Sequence, residues 1–388
     1  MRREEQIRLL KELMRHRDEG TNVDAGGHRR NPTDVYRSPE IAAQEWEHFF
    51  QGHPQLLGLS GDLPKPGSFV TSRDFGGPVL ATRDAAGRFR AFANTCRHRG
   101  VVLEDRERGE AERFVCPFHA WTYSNAGELV AIPKPDHFGT IDKTYHGLIE
   151  LPAKELHGFL FVHPDPGGTI DEAEVLGGLS DEFSSWDFGK LVHVGTDMYD
   201  MRLNWKLAID TFGETYHFNA LHKDTLAQGF YGNAQCYDIF GKNHRMILCL
   251  KSLDALRGQP EDAWHITDGG FPVYYLFPNV QVNVGATGVT LVRTYPDRVN
   301  PGRSISRITF YSTEAAVGAD PGLALERARI FGDVIRDEDY AVAEGSQLSA
   351  EAGLQDYVIF GRNEPALHHY HNTYRRVLGM DELPLLDA

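Results

Sequence analysis

Apolar residues at three- and four-residue steps open the chain. Ile7, Leu10, Leu13 and Met14 fall on one face of residues 4–17 and predict an amphipathic helix. A polar, glycine-containing stretch from Asp18 to Asn31 reads as a mobile segment. Ser38 before Pro39-Glu40 marks a helix start, with Pro39 in the first turn, and this helix carries Ile41, Trp46 and Phe49. From about Gln55 to Asp165 the period shortens to strands such as Ser68–Ser72, Val79–Arg83 and Phe89–Asn94, separated by Gly76-Gly77-Pro78 and Asp84–Gly87. Glu104 to Arg113 alternates charges and reads as a solvated hairpin or turn. The strand Gly158–His163 closes this region at Pro164-Asp165-Pro166. Strands return over Phe271–Arg293, where Val280, Val282 and Val284 alternate with Gln281 and Asn283, and over Ser304–Ser312. Residues 324–347 show helical spacing, with Ile330, Phe331, Val334, Ile335 and Val342 as a stripe. The expected organisation is α+β. Residues 1–43 form a helical region packing on the last domain, 44–165 a small all-β domain, and 166–388 a larger domain of antiparallel sheet and helices.

Bulk properties narrow the function classes. The 388 residues are 41% hydrophobic and 24% charged, ordinary for a globular protein of about two domains. A net charge of −15 without a basic run argues against nucleic acid and anionic membranes. No apolar stretch approaches the ~18 residues of a spanning helix, and the N-terminus lacks a signal-peptide core. Four cysteines are few. Cys236 and Cys249 stand apart and read as buried thiols of a reducing, cytoplasmic compartment.

The other two cysteines carry chemistry. Cys96-Arg97-His98 is followed after seventeen residues by Cys116-Pro117-Phe118-His119. Each loop offers one thiolate and one imidazole, whereas a zinc site usually pairs like with like, although a Cys₂His₂ zinc module stays open on spacing alone. Mixed pairs suit a [2Fe–2S] centre with two cysteines on one iron and two histidines on the other. The strings Asn94-Thr95-Cys96-Arg97-His98-Arg99-Gly100 and Cys116-Pro117-Phe118-His119-Ala120-Trp121-Thr122-Tyr123 resemble the cluster loops of the Rieske non-haem iron oxygenases, whose large (alpha) subunits include the aromatic ring-hydroxylating dioxygenases. That family usually has Gly after the second histidine, where this chain has Ala120. A methyl there is tolerable at negative φ and awkward in close approach to a cluster.

A second constellation lies downstream. Asp210, Glu214 and His217 are spaced i, i+4, i+7 and would form one polar row on a helix. His222 comes five residues after His217, so a shared metal requires the helix to end or bulge around Asn219 to Leu221. Two histidines and one carboxylate are the ligand set of non-haem Fe(II) oxygenases. Asn204-Trp205-Lys206…Glu214-Thr215-Tyr216-His217…His222 resembles the mononuclear iron motif of the same family. By that resemblance Glu214 is the acid that links the iron site of one subunit to the cluster of its neighbour. Most members have Asp there, and a subset oxidising quaternary ammonium compounds has Glu. Asp210 is the alternative bridge or an outer partner of a ligand. Periodicity over residues 324–347 puts Glu338 nearest the stripe, while the resemblance implies Asp339 as third ligand, with Glu338 second. His368, His369 and His371 read as ordinary histidines of a C-terminal helix.

The resemblance, which runs from about residue 30 to residue 378, implies a terminal oxygenase holding a Rieske [2Fe–2S] cluster and a mononuclear Fe(II). It would use O₂ and electrons from NAD(P)H, delivered by a separate reductase and in some systems a ferredoxin, to mono- or dioxygenate an organic, aromatic substrate. Oxidative demethylation and quaternary-ammonium oxidation are the alternatives within the family, and a Rieske electron carrier is the alternative outside it. The family's habit is a head-to-tail homotrimer, or a trimer with a beta subunit.

Overall fold

The computed structural model describes residues 1–387 and divides into two compact units. One comprises Met1–Trp46, Val175–Trp186 and Val194–Ala388; the other comprises Glu47–Glu174 and Asp187–His193. No helix among the described residues is long and apolar enough to cross a membrane.

The smaller unit is β-rich. Its five-stranded antiparallel sheet runs Glu150–Leu151, Phe89–Ala93, Val79–Arg83, Ser68–Ser72, Arg108–Glu110. The turn after Val79–Arg83 is built by Asp84, whose Oδ1 accepts from the N–H groups of Ala86 and Arg88, both at 2.9 Å. A three-stranded sheet of Arg113–Val115, Thr122–Ser124 and Leu129–Ala131 adjoins the second Cys–His loop. Phe69, Leu80, Phe92, Phe114, Trp121 and Tyr123 fill the core beneath. The charged stretch from Glu104 to Arg113 is not a hairpin. Arg108–Glu110 pairs with Ser68–Ser72 while Arg113–Val115 pairs with Thr122–Ser124, so its ends join different sheets. Asp187–His193, expected in the larger domain, belongs to this unit. A Cβ on Gly61 would stand 2.2 Å from the Leu191 carbonyl oxygen, and one on Gly158 2.3 Å from the Gly189 nitrogen. Backbone contact that close requires glycine.

The larger unit is built on a seven-stranded antiparallel sheet in the order Val192–Met201, Ser304–Ser312, Gly288–Pro296, Val280–Val284, Gly270–Leu276, Asn243–Leu250, Phe230–Phe240. Both faces of Val280–Val284 are buried, so Gln281 and Asn283 do not face water. The helix Arg3–Glu19 ends at Gly20, which takes the left-handed conformation. It lays Leu9, Leu10, Leu13 and Met14 against Cys236, Ile247 and Cys249 of the sheet, with Ile7 at the margin. Cys236 and Cys249 are free and buried. Ser38 caps Pro39–Glu45 by accepting from the Ile41 N–H at 3.2 Å. The Asp18–Asn31 segment is tied rather than loose. The Ala25 N–H donates to the Arg362 carbonyl at 2.7 Å, and Arg29–Pro32 pairs with Tyr357–Phe360.

Candidate metal centres

The two Cys–His loops share one local design. Cys96 N–H donates to the Val101 carbonyl and Gly100 N–H returns to Cys96; Cys116 N–H donates to Trp121 and Ala120 N–H returns to Cys116. The fifth residue of each loop is left-handed, with φ +72° at Gly100 and +56° at Ala120. Ala120 thus occupies the position that favours glycine. Its side chain is exposed, so the departure strains the backbone without crowding the site.

The four side chains converge. Cys96 and Cys116 are buried, and the Tyr123 hydroxyl lies 3.4 Å from Cys96 Sγ while accepting the Arg97 N–H at 2.9 Å. Burial lifts the Cys116 thiol above its usual range, while the N–H groups of Phe118 and His119 pull it back down. The His98 and His119 ring centroids are 4.7 Å apart, and His98 stacks on Trp121 at 5.0 Å. His119 Nδ1 is buried and has no hydrogen-bond partner. Orphaned buried polar atoms are rare unless they serve an absent group. A thiol with N–H donors, a second thiol beside a hydroxyl, and two adjacent imidazoles of which His119 keeps an unspent nitrogen fit a Rieske cluster.

The second site begins on Trp205–Asp210. Asn204 caps this helix by accepting the Lys206 N–H at 2.9 Å, and Trp205 Nε1 and Lys206 Nζ both donate to the buried Glu45, at 2.9 and 2.6 Å. The helix stops at Asp210, so Asp210, Glu214 and His217 do not form the expected row. At Gly213 a Cβ would lie 2.8 Å from the Tyr370 hydroxyl and 2.9 Å from Leu367, and the chain turns there. A short 3₁₀ turn, Tyr216–Asn219, follows and ends where a shared metal demands. His217 Nε2 and His222 Nε2 come within 3.1 Å.

The downstream helix is also interrupted. Pro321–Val334 passes through a π turn, Ile335–Tyr340, into Ala341–Glu351. Ile330 and Val342 are exposed rather than part of a buried stripe, and for Val342, which follows the widened turn, the angular register has been reset. Glu338, nearest the stripe by angle, instead accepts from Thr225 Oγ1 at 2.9 Å and lies 2.7 Å from His222 Nδ1. Asp339 is buried, with Oδ1 3.4 Å from His217 Nε2 and 3.3 Å from His222 Nε2. Among the described residues this is the one group of three His, Cys, Asp or Glu donors close enough to share an ion. A triangle of 3.1–3.4 Å edges is what three donors ~2.1 Å from one ion would span. The remaining acids are engaged elsewhere: Asp333 and Asp337 with Arg336, Glu344 with the Arg202 N–H.

Glu214 and Asp210 separate cleanly. Glu214 Oε1 bonds His217 Nδ1 and Oε2 accepts the N–H groups of Tyr216 and His217. Asp210 accepts from Tyr36 and Tyr370 hydroxyls at 2.8 and 2.9 Å and from His371 Nε2 at 2.8 Å, a network that does not reach the two histidines. His368 and His369 bond the Phe360 and Gly241 carbonyls, so the C-terminal histidines converge on no common point.

The charges around the triangle suit a cation. Burial works against a charged His217, but Asp339 and Glu214 outweigh it and lift its pKa to about 9. His222 moves up, opposed by burial and driven by Asp339. Burial would raise Asp339, yet hydrogen bonds from both histidines carry it down. Glu364, absent from the residues singled out by sequence, is lifted to about 7 by burial and by Glu214 and Asp210 nearby. Tertiary packing at the start of the C-terminal helix brings it near Glu214 and Asp210, a placement that no local pattern reveals.

The comparisons with known proteins follow the same order along the chain. A Rieske [2Fe-2S] domain family matches residues 53–147, and a ring hydroxylating alpha subunit (catalytic domain) family matches residues 188–380. A glycine betaine monooxygenase oxygenase subunit from Chromohalobacter salexigens is 30% identical over 196 residues, 50% of this chain and 43% of that protein. A carnitine monooxygenase oxygenase subunit from Acinetobacter baumannii is 25% identical over 326 residues, 81% of this chain and 84% of that one. The crystal structure of a quaternary ammonium Rieske monooxygenase shares the fold with a TM-score of 0.77 at 21% identity, covering 91% of this chain and 96% of that one. Cluster loops first, three-donor site second, each matched by its own domain family and joined in a shared fold: the chain belongs to the Rieske non-haem iron oxygenases, as a large (alpha) subunit.

Proposed function

We propose that this chain is the terminal oxygenase component of a multicomponent system, inserting oxygen from O₂ into an organic substrate. Cys96, His98, Cys116 and His119 hold the cluster, and His217, His222 and Asp339 hold the iron. The observation that carries this reading is the convergence of His217 Nε2, His222 Nε2 and Asp339 Oδ1 on one triangle at the wall of a cavity. A cluster in the first site would supply single electrons, and an iron in the second would supply O₂ activation.

The chain's own residues set up that chemistry. Glu214 and Glu338 each engage the Nδ1 of one histidine, which fixes the tautomer and aims both Nε2 atoms at one point. Asp339 brings the negative charge that favours a dication. Phe218, Phe230 and Phe271 wall the site with apolar surface. Electrons come from NAD(P)H through a separate reductase, with a ferredoxin in some systems. A head-to-tail homotrimer would set one subunit's His98 and His119 against its neighbour's Glu214, beside which Tyr216 is exposed. Glu214, together with the named relatives that act on glycine betaine and carnitine, favours quaternary-ammonium oxidation as a second reading within the same chemistry.

The test is iron analysis joined to turnover under ¹⁸O₂ with NADH and a surrogate reductase. About three irons per chain and labelled product are expected. A reducible cluster with no third iron and no labelled product would make the chain an electron carrier.

A further inference from the structure

Resting on the iron-site reading, we infer that Thr225 is a positioning residue of the mononuclear centre, aiming His222 through the carboxylate of Glu338. Glu338 Oε2 meets two donors at once, the Thr225 hydroxyl at 2.9 Å and His222 Nδ1 at 2.7 Å. An ionised carboxylate only accepts, so Nδ1 carries the imidazole proton and Nε2 keeps its lone pair. Both donors come from one turn. The N–H groups of Thr225 and Ala227 each bond the His222 carbonyl at 3.0 Å, which ties the hydroxyl to the backbone of the histidine it serves. The hydroxyl also lies 3.4 Å from that carbonyl, too long to compete with the carboxylate. A closed ring results, from the His222 imidazole to the Glu338 oxygen, to the Thr225 hydroxyl, and back through the turn to His222. Glu338 arrives from 113 residues beyond Thr225, and this pincer fixes a side chain that would otherwise sample several rotamers.

Packing of the turn does not require this hydroxyl. Thr225 stands immediately before the 3₁₀ turn Leu226–Gln228, where a threonine hydroxyl ordinarily accepts an N–H of the turn it opens. Here it caps nothing and gives its proton to a carboxylate on another element. His217 shows the other way to hold such an acid. Its partner Glu214 is oriented by two backbone N–H groups of its own turn, those of Tyr216 and His217. Substituting a side chain leaves those donors in place, whereas the peg on Glu338 is one removable hydroxyl. The cavity at the triangle is lined by His217, His222 and Asp339 but not by Thr225, so Thr225 acts through the imidazole rather than on a substrate.

The experiment uses the full chain with its cluster loaded and the mononuclear site emptied, and Co(II) alone as the probe, an ion that takes the same imidazole and carboxylate donors. Affinity is read by calorimetry and ligand geometry by electron paramagnetic resonance, in which the oxidised cluster is silent. Thr225→Val keeps the shape and loses the donor; it is expected to bind Co(II) at least about tenfold more weakly and with a shifted resonance. Thr225→Ser restores the hydroxyl and is expected to return both to near wild type. In a Glu338→Ala background Thr225→Val is expected to add little, because its effect passes through the carboxylate. Wild-type affinity and resonance in Thr225→Val, a loss that serine does not rescue, or losses that add in the double variant each overturn the inference and leave the iron-site reading standing. A wild-type chain that takes up no Co(II) beside its cluster overturns the iron-site reading, and the inference with it.

Discussion

Glu338 and Asp339, neighbours in sequence, grip opposite edges of one imidazole. Glu338 Oε2 lies 2.7 Å from His222 Nδ1, and Asp339 Oδ1 lies 3.3 Å from His222 Nε2. The π turn lets consecutive side chains do this, because it rotates Asp339 inward while Glu338 reaches round the outside.

That division predicts opposite variants. Asp339→Ala is expected to lose the mononuclear iron and keep the cluster's visible spectrum. Glu338→Gln is expected to keep the iron with affinity lowered roughly 10–100-fold. Iron retention in Asp339→Ala would return the ligand role to Glu338.

Glu214→Gln removes a charge while keeping an acceptor for His217. Cluster and iron content are expected to hold, while turnover coupled to NADH falls by at least about tenfold. Full coupled turnover in that variant would end the bridging role.

The metal-free protein has a pH signature. His217 sits at about 9, above its usual 6.5, so its contribution is complete below pH 6.5 and lost as pH rises through 9. Glu364 acts in the same direction over a lower window: raised from 4.5 to about 7, it favours the fold at low pH and disfavours it as pH climbs. Urea unfolding of metal-free protein should therefore show stability falling from pH 6 to 9.5, with the upper part of the fall absent in His217→Ala. Fe(II) must displace the His217 proton, so uptake is expected to strengthen with pH and to release protons in calorimetry across buffers of different ionisation enthalpy.

At Ala120 the backbone carries strain that Gly100 avoids in the sister loop. Ala120→Gly is expected to stabilise the smaller unit by about 0.5–1 kcal/mol, the relief of left-handed alanine less the added freedom of the unfolded chain. Thermal unfolding measures it, and an unchanged cluster spectrum is expected alongside.

Asp210 is the acceptor for three buried donors. Asp210→Ala should destabilise by roughly 2–4 kcal/mol through the orphaned donors, with iron binding preserved. Loss of iron at unchanged stability would restore it to the metal site.

Much of this protein was legible in its residues because the chemistry is local. Cys96/His98 and Cys116/His119 lie in short loops whose own hydrogen bonds shape them, and the helix of residues 4–17 and the strands near Ser68, Val79 and Phe89 follow from hydrophobic period alone. What sequence could not supply were the interruptions. The helix carrying Asp210 stops because Gly213 meets Tyr370 from the far end of the chain. That Asp339 rather than Glu338 faces both Nε2 atoms depends on a π turn that no periodicity of 3.6 foresees. Those outcomes come from contacts between distant residues, and only packing decides which of several locally equal conformations the chain keeps.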